Sequence, residues 1–173
     1  LSITPYYSVP RIKTTSAAEH KRVGNELFRA GDEESLRGAV AAYTAAFEVD
    51  STEHVYLLNR CAALLALGDA DGARRDAEAC VRMAPQSIKA HYRLAKAQRM
   101  LGDASAALEA AIVGIELSGP AGNALLSTLA SEMKVAMMAE ISEFVVHDDD
   151  RTADAAARCI DAIPFPAART GRM

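Results

Sequence analysis

Apolar residues recur along this chain every three or four positions, the spacing of an amphipathic helix, and glycine or proline interrupts the pattern at regular points. The pattern predicts helices in pairs between residues 17 and 119. A glycine ends the first helix of each pair, at Gly31, Gly68 and Gly102. Thr15 or Ser16 can cap the first helix, with Glu19 completing a capping box. The chain is therefore predicted to be all-α.

The interruptions repeat at a fixed distance along the sequence. Gly68 and Gly102 lie 34 positions apart, and so do Ala73 and Ala107. The distance from Gly31 to Gly68 is 37, because three extra residues follow Gly31. They should either lengthen a helix or bulge the turn. A 34-residue period with a glycine stop and an alanine-rich second helix indicates a stacked array of helix pairs.

The sequence after residue 120 predicts the end of this array. Residues 121–146 form one long helical pattern. Its apolar side carries Leu125, Leu129, Met133, Ala136 and Ile141. The last apolar face of a repeat array needs a covering helix, so we expect a capping helix here. A further short helix is predicted at 153–165, either as a degenerate fourth pair or as the first part of a longer array.

The chain divides into four parts by these signals. We expect an extended lead-in at 1–15, repeats at 16–120, capping helices at 121–162 and a frayed tail at 163–173. The three repeats are expected at about 16–53, 54–87 and 88–120. Because the first residue is Leu1 rather than Met, we expect a fragment or a processed form of a longer protein.

Composition narrows the class of protein. Half of the 173 residues are hydrophobic and 24% are charged, as in an ordinary soluble domain. The net charge of −4 argues against nucleic acid as the main partner, because phosphate binding needs a basic surface. No apolar run approaches the roughly 18 residues of a membrane span, so no membrane partner is expected.

The cysteines and histidines give no sign of a disulfide framework or a metal site. Cys61, Cys80 and Cys159 are far apart and are expected to be small core residues in a reducing compartment, with the cytoplasm preferred. His147 precedes three aspartates at 148–150, but consecutive residues rarely converge on one ion. With no phosphate loop or nucleophile–base motif either, we expect no enzyme activity, no cofactor and no metal.

One predicted helix, between Ser87 and Leu101, carries an unusual set of charges. Lys89, Arg93 and Lys96 fall on one face of it, at i, i+4 and i+7. Three cations within two turns repel each other. Either this face is simply solvated, or it receives an anionic ligand, and the rest of the chain favours the ligand.

The repeat pattern resembles a tetratricopeptide repeat (TPR) domain over roughly residues 16–120. The matching positions are Gly24, Gly31, Ala39, Tyr43 and Ala46 in the first repeat, Gly68, Ala73 and Pro85 in the second, and Ala95, Gly102 and Ala107 in the third. The resemblance implies a right-handed superhelical array of antiparallel helix pairs. It also implies that the first helices of successive repeats line a concave groove.

Five polar residues match the pattern by which one class of these domains, found in chaperone-binding proteins, holds the C-terminal carboxylate of a peptide. They are Lys21 and Asn25 in the first helix, Asn59 in the third, and Lys89 and Arg93 in the fifth. Residues four apart share a helix face. The cations would neutralise the two carboxylates of a C-terminal Asp, and the amides would donate hydrogen bonds without adding charge. A single surface cation is weak evidence for a binding site, because most such cations are simply solvated. The two asparagines are stronger evidence, because asparagine is a poor helix former and both are predicted in the middle of a helix.

Further contacts to the peptide are expected along the same wall of the groove. The candidate residues are Phe28, Ala62, Leu65, Ala66 and Lys96. Phe28 and Leu65 could instead belong to the core. Lys96 could meet an acidic residue upstream in the peptide.

The resemblance implies an interaction module of a co-chaperone that binds the EEVD tails of the 70-kDa and 90-kDa heat shock proteins. Two alternatives stay open. The chain could be the targeting arm of a larger enzyme, such as a prolyl isomerase, a phosphatase or a ubiquitin ligase. It could also be a scaffold that binds other peptides or a partner helix. The segment after residue 120 looks somewhat like the arrays of J-domain co-chaperones, although no HPD motif is present.

Overall fold

A computed structural model describes residues 16–119 and 123–145 of the chain. These residues form seven helices and no strand, which confirms the all-α prediction. The helices are α1 (Ala17–Ala30), α2 (Glu33–Val49), α3 (Val55–Leu67), α4 (Ala70–Met83), α5 (Ile88–Met100), α6 (Ala104–Ser118) and α7 (Ala124–Val145). None of the seven is long and apolar enough to cross a membrane.

Several predictions concern parts of the chain outside the described residues. They are the lead-in at 1–15, the break at Pro120, the side chain of Ile141, the run at 147–150, the short helix at 153–165 with Cys159, and the tail at 163–173.

The turn inside each helix pair is a glycine followed by an aspartate. Gly68 and Gly102 have φ values of +82° and +81°, in the left-handed region where a side chain would be strained. The Asp69 carboxylate then caps α4 by accepting a hydrogen bond from the backbone N–H of Gly72 at 2.8 Å, and Asp103 caps α6 in the same way. This local pair of signals explains why the helices end and restart where the sequence predicts.

The three extra residues of the first repeat lengthen a helix. The turn after α1 is Gly31 and Asp32, the same glycine–aspartate pair as in the other repeats. Asp32 caps α2 by accepting from the N–H of Ser35 at 2.9 Å. Helix α2 has 17 residues, whereas α4 has 14. Of the two alternatives, the longer helix is correct, and the turn itself is unchanged.

Helix α1 begins at its predicted cap, with one difference. The Ser16 hydroxyl oxygen accepts a hydrogen bond from the backbone N–H of Glu19 at 3.2 Å. The Glu19 carboxylate, however, accepts two hydrogen bonds from Arg22, at 2.9 and 2.7 Å. The prediction that Glu19 completes a capping box is therefore wrong, because a charged partner one turn away binds the carboxylate more strongly than a neutral N–H does.

The helices pack in two layers. Each helix contacts the next one along the chain, and α3 also contacts α5, which in turn contacts α7. Helices α3, α5 and α7 therefore lie side by side in one layer, which α1 joins through the hydrogen bond between Asn59 and Asn25. Each even-numbered helix packs against two neighbouring helices of this odd-numbered layer and belongs to the other layer. Small side chains without exposed surface fill the space between the two layers, including Ala39, Ala46, Ala63, Ala73, Ala77, Ala95, Ala97, Ala107 and Ala111. Such side chains let helix backbones approach closely.

Cys61 and Cys80 belong to this core, as predicted. Both are fully buried, and neither forms a disulfide. Burial raises the pKa of each thiol to about 12, because desolvation disfavours the thiolate. The two thiols are therefore small packing groups rather than reactive ones.

Helix α7 packs against α5 and α6 through Leu129, Met133 and Ala136, as predicted, but not through Leu125. Leu126, Leu129 and Met133 are buried, whereas Leu125 is 63% exposed. Leu126 lies over Gly114 of α6, where an added Cβ would come within 2.8 Å of its Cδ1. The prediction for Leu125 is wrong because α7 is apolar on several sides, and the space above a glycine selects the buried face.

One buried ion pair joins three helices. Arg60 of α3 donates to both carboxylate oxygens of Asp76 in α4, at 2.7 and 2.6 Å, and to the Thr44 hydroxyl of α2 at 2.9 Å. The Asp76 side chain is 8% exposed and that of Arg60 22% exposed. The hydrogen bond to Asp76 raises the pKa of the Arg60 guanidinium above its ordinary value, so the charge is kept despite burial.

We predict that Asp76→Ala lowers the free energy of unfolding by roughly 3 kcal/mol, because it leaves the Arg60 charge without its buried partner. Chemical denaturation of the whole chain measures the change. Asp71→Ala in the same helix is the matched control, since that carboxylate is 65% exposed and lies 3.8 Å from Arg74. Its loss should cost under about 1 kcal/mol. Equal effects of the two substitutions would contradict the structural role of the Asp76 pair.

Candidate functional site

The five residues predicted to hold a carboxylate all lie on odd-numbered helices and therefore in one layer. Lys21 and Asn25 belong to α1, Asn59 to α3, and Lys89 and Arg93 to α5. On α1 and on α5 the two site residues are four positions apart, so each pair shares a helix face. The layer places the five residues on three neighbouring helices.

The two asparagines meet in the structure. Asn59 Nδ2 donates to Asn25 Oδ1 at 3.4 Å, although the residues are 34 positions apart in sequence. The same oxygen accepts a hydrogen bond from the hydroxyl of Tyr43 at 2.9 Å. With its oxygen engaged by two donors, Asn25 keeps its Nδ2 group for a ligand, and Asn59 keeps its second N–H.

Arg93 reaches from α5 across to α3. Its Nη1 donates to the backbone carbonyl of Leu58, the residue before Asn59. The side chain is half-buried, and burial lowers the pKa of its guanidinium below the ordinary value. A carbonyl is neutral, so this hydrogen bond leaves the charge of the half-buried guanidinium uncompensated by any described residue.

The cations of the site have no acidic partner in the described part of the chain. No carboxylate there forms an ion pair with Lys21, Lys89 or Arg93. Elsewhere in the fold the arginines that pair with carboxylates are Arg22, Arg37, Arg60, Arg74 and Arg99. Unpaired cations beside two amide donors form a site suited to an anion, and to a carboxylate in particular.

Tyr43 contacts this site through its hydroxyl, although the sequence analysis named it only as a position of the repeat pattern. Its ring is 2% exposed and packs on Gly24, where an added Cβ would lie 2.6 Å from the ring carbon Cε1. The hydroxyl of a buried tyrosine usually has a hydrogen-bond partner, and this general rule was the available signal. The sequence does not reveal that the partner is Asn25 on the preceding helix.

The residues predicted to line the groove take different places. Ala62 and Lys96 are half-buried, Ala66 is exposed, and Phe28 is 37% exposed, so Phe28 is not a core residue. Leu65 is half-buried and packs against the core between α3, α4 and α5. The alternative interpretation of Leu65 as a core residue therefore holds for part of its surface.

A cavity of about 210 Å³ continues the basic face of α5 toward α7. It is lined by Tyr92, Lys96, Arg99, Leu125, Thr128, Leu129 and Glu132. Arg99 of α5 donates to the Glu132 carboxylate of α7 at 2.5 Å, and this contact joins the two walls of the cavity. Lys96 has no acidic partner among the described residues. The exposed Leu125 thus contributes an apolar wall to a cavity that has one uncompensated cation.

In the described residues, no group of His, Cys, Asp and Glu side chains could hold a metal ion. The five site residues themselves offer hydrogen-bond donors and positive charge.

Antiparallel helix pairs that repeat along the chain and stack in two layers define an α-helical repeat protein. A crystal structure of the Sgt2 TPR domain from Aspergillus fumigatus has a TM-score of 0.64 and 30% identity, covering 70% of this chain and 78% of that one. The second TPR domain of human RPAP3, solved with the HSP70 peptide SGPTIEEVD, has a TM-score of 0.63 and 25% identity, covering 68% and 94%. This chain belongs to the tetratricopeptide repeat family.

Similarity to curated proteins covers only part of their length. The chain is 35% identical over 120 residues to the Hsp70-Hsp90 organizing protein of Triticum aestivum, which is 69% of this chain and 20% of that protein. It spans a fifth or less of the curated relatives it matches. No family model matches the chain. The similarity therefore concerns a repeat module.

We predict that Gly24→Ala lowers the free energy of unfolding by about 1–3 kcal/mol, because the new Cβ would lie 2.6 Å from the Tyr43 ring, which is too buried to move away freely. Gly38→Ala in α2 is the matched control. Its Cβ would meet the flexible end of Leu27 at 3.1 Å, so helix propensity should make it neutral or stabilising by up to about 1 kcal/mol. Thermal and chemical unfolding distinguish the two, and an unperturbed Gly24→Ala variant would contradict the packing described.

Proposed function

We propose that this chain is a peptide-binding module of a co-chaperone that captures the free C-terminal carboxylate of the EEVD tails of 70-kDa and 90-kDa heat shock proteins. The observation that carries the proposal is a set of three cations, Lys21, Lys89 and Arg93, which have no acidic partner within residues 16–119 and 123–145. They lie on the same three neighbouring helices as the linked amides of Asn25 and Asn59. The related RPAP3 domain, solved with an HSP70 peptide that ends in EEVD, supports this choice of ligand.

The chemistry of the ligand matches the donors of the site. A C-terminal aspartate carries two carboxylates, and every one of their oxygens accepts hydrogen bonds. Two lysines and one arginine supply the compensating charge, and the two asparagines supply N–H groups without adding further repulsion. Arg93 is held on α3 by the Leu58 carbonyl, so its remaining N–H groups are ordered before the peptide arrives. Such a short peptide should bind with a Kd of about 1 μM, or about −8 kcal/mol.

The module is proposed to act as one part of a longer cytoplasmic protein. The support for this proposal is that the chain spans a fifth or less of the length of the curated relatives it matches. The module supplies recognition, and any catalytic activity of the parent protein would reside in other parts of it.

We predict that Lys21→Ala, Lys89→Ala and Arg93→Ala each weaken binding of the peptide SGPTIEEVD by about thirtyfold or more. Removing one partner from a desolvated charge contact costs roughly 2–5 kcal/mol. Calorimetric titration of the whole chain measures the loss. Arg82→Ala is the control, since Arg82 is exposed in the last turn of α4, and its affinity should stay within twofold. A site variant that also stays within twofold would exclude the role given to that residue.

We predict that Lys96→Glu weakens binding of a tail with acidic residues upstream of the last four positions by about three- to tenfold, because like charges would then face each other at the α5–α7 cavity. A peptide with neutral residues at those positions should bind the variant as it binds the unmodified chain. Arg82→Glu reverses a charge outside the odd-numbered layer and serves as the control. Equal loss of affinity for both peptides would show that Lys96 does not contact the acidic residues in this part of the tail.

A further inference from the structure

The amide of Asn25 has two orientations with opposite consequences for an anion. With its nitrogen toward the ligand it donates a hydrogen bond, and with its oxygen toward the ligand it repels a carboxylate. The side chain has nearly the same shape in both orientations, so its neighbours must decide between them. Here Tyr43 and Asn59 both donate to Oδ1, at 2.9 and 3.4 Å.

Of these two donors, Tyr43 makes the shorter hydrogen bond and has the more restricted side chain. The bond from Asn59 lies at the long end of the range for hydrogen bonds, and Asn59 is itself an amide that can turn over. The Tyr43 ring is 2% exposed and is backed by Gly24. Burial also raises the pKa of its phenol above the ordinary value, so the hydroxyl stays protonated and can donate.

We infer that Tyr43 is a positioning residue of the carboxylate site, whose hydroxyl holds the Asn25 amide with its nitrogen toward the ligand. Asn25 then offers the ligand a donor rather than an acceptor, which favours a free carboxylate over a C-terminal carboxamide. This inference rests on the proposed function, because it concerns the ligand of the same site.

The selectivity follows from hydrogen-bond chemistry. A carboxylate only accepts hydrogen bonds, whereas a carboxamide brings two N–H donors of its own. Those donors would face the N–H groups of Asn25 and Asn59 in the orientation that Tyr43 fixes. Without the phenol, Asn25 is free to turn and to offer its oxygen to a carboxamide. The loss of the hydroxyl should therefore weaken carboxylate binding and reduce discrimination against the amide.

The test is Tyr43→Phe in the whole chain, titrated with SGPTIEEVD in free-carboxylate and C-terminally amidated forms. We expect binding of the free carboxylate to weaken by about three- to tenfold, which is the worth of one hydrogen bond. The ratio between the two affinities should fall as well. Tyr56→Phe is the matched control, because Tyr56 is 6% exposed in α3 and its hydroxyl has no hydrogen-bond partner among the described residues. It should leave both affinities within twofold.

A second readout follows the amide itself in the absence of peptide. The side-chain ¹H–¹⁵N resonances of Asn25 should shift in Tyr43→Phe and stay in place in Tyr56→Phe, with unfolding curves showing that both variants are folded. An unchanged affinity for the free carboxylate, equal loss for both peptide forms, or unmoved Asn25 resonances would each overturn the inference. If the unmodified chain binds neither peptide, the proposed function fails, and the Asn25 resonances still decide whether Tyr43 holds that amide.

Discussion

The close approach of neighbouring helices is the constraint on which the rest of the structure depends. Alanine, glycine and cysteine occupy the crossing points, and Cys61 and Cys80 have no exposed surface. At Gly24 even one methyl group would meet the Tyr43 ring at 2.6 Å. This spacing allows Asn25 of the first repeat to reach Asn59 of the second, so that a site can form from residues 34 positions apart. The site can therefore form only when the first and second repeats pack closely against each other.

Two arginines at helix α3, Arg60 and Arg93, differ in whether a carboxylate compensates their charge. Arg60 points to a buried carboxylate and stabilises the stack, with both Asp76 oxygens within 2.7 Å. Arg93 instead donates to the backbone carbonyl of Leu58, the residue before Asn59, and this carbonyl is its only described partner. A half-buried cation without a counter-ion costs stability, and an arriving carboxylate would offset that cost. The contrast between Arg60 and Arg93 separates a charge that serves the fold from one suited to a ligand.

Local signals predicted most of the fold, and tertiary contacts decided what the sequence could not. Glycine–aspartate pairs set the helix ends, and the period of 34 placed the site residues on alternate helices. The prediction for the buried side of α7 was wrong at Leu125. Leu126 is buried instead, because its side chain fills the space above Gly114. The hydroxyl partner of Tyr43 was also missed, since periodicity shows which side of a helix is buried but not which polar atoms meet across two helices.

Recognition of a free C-terminal carboxylate is the property that we propose for this site. The most direct measurement is a calorimetric titration of the unmodified chain with SGPTIEEVD, once with a free C-terminus and once amidated. We predict a Kd of about 1 μM for the free peptide and a loss of about thirtyfold or more on amidation. Equal binding of the two peptides would contradict it and would favour a scaffold that contacts other parts of its partner. Absence of binding by either would show that this repeat array serves a different ligand.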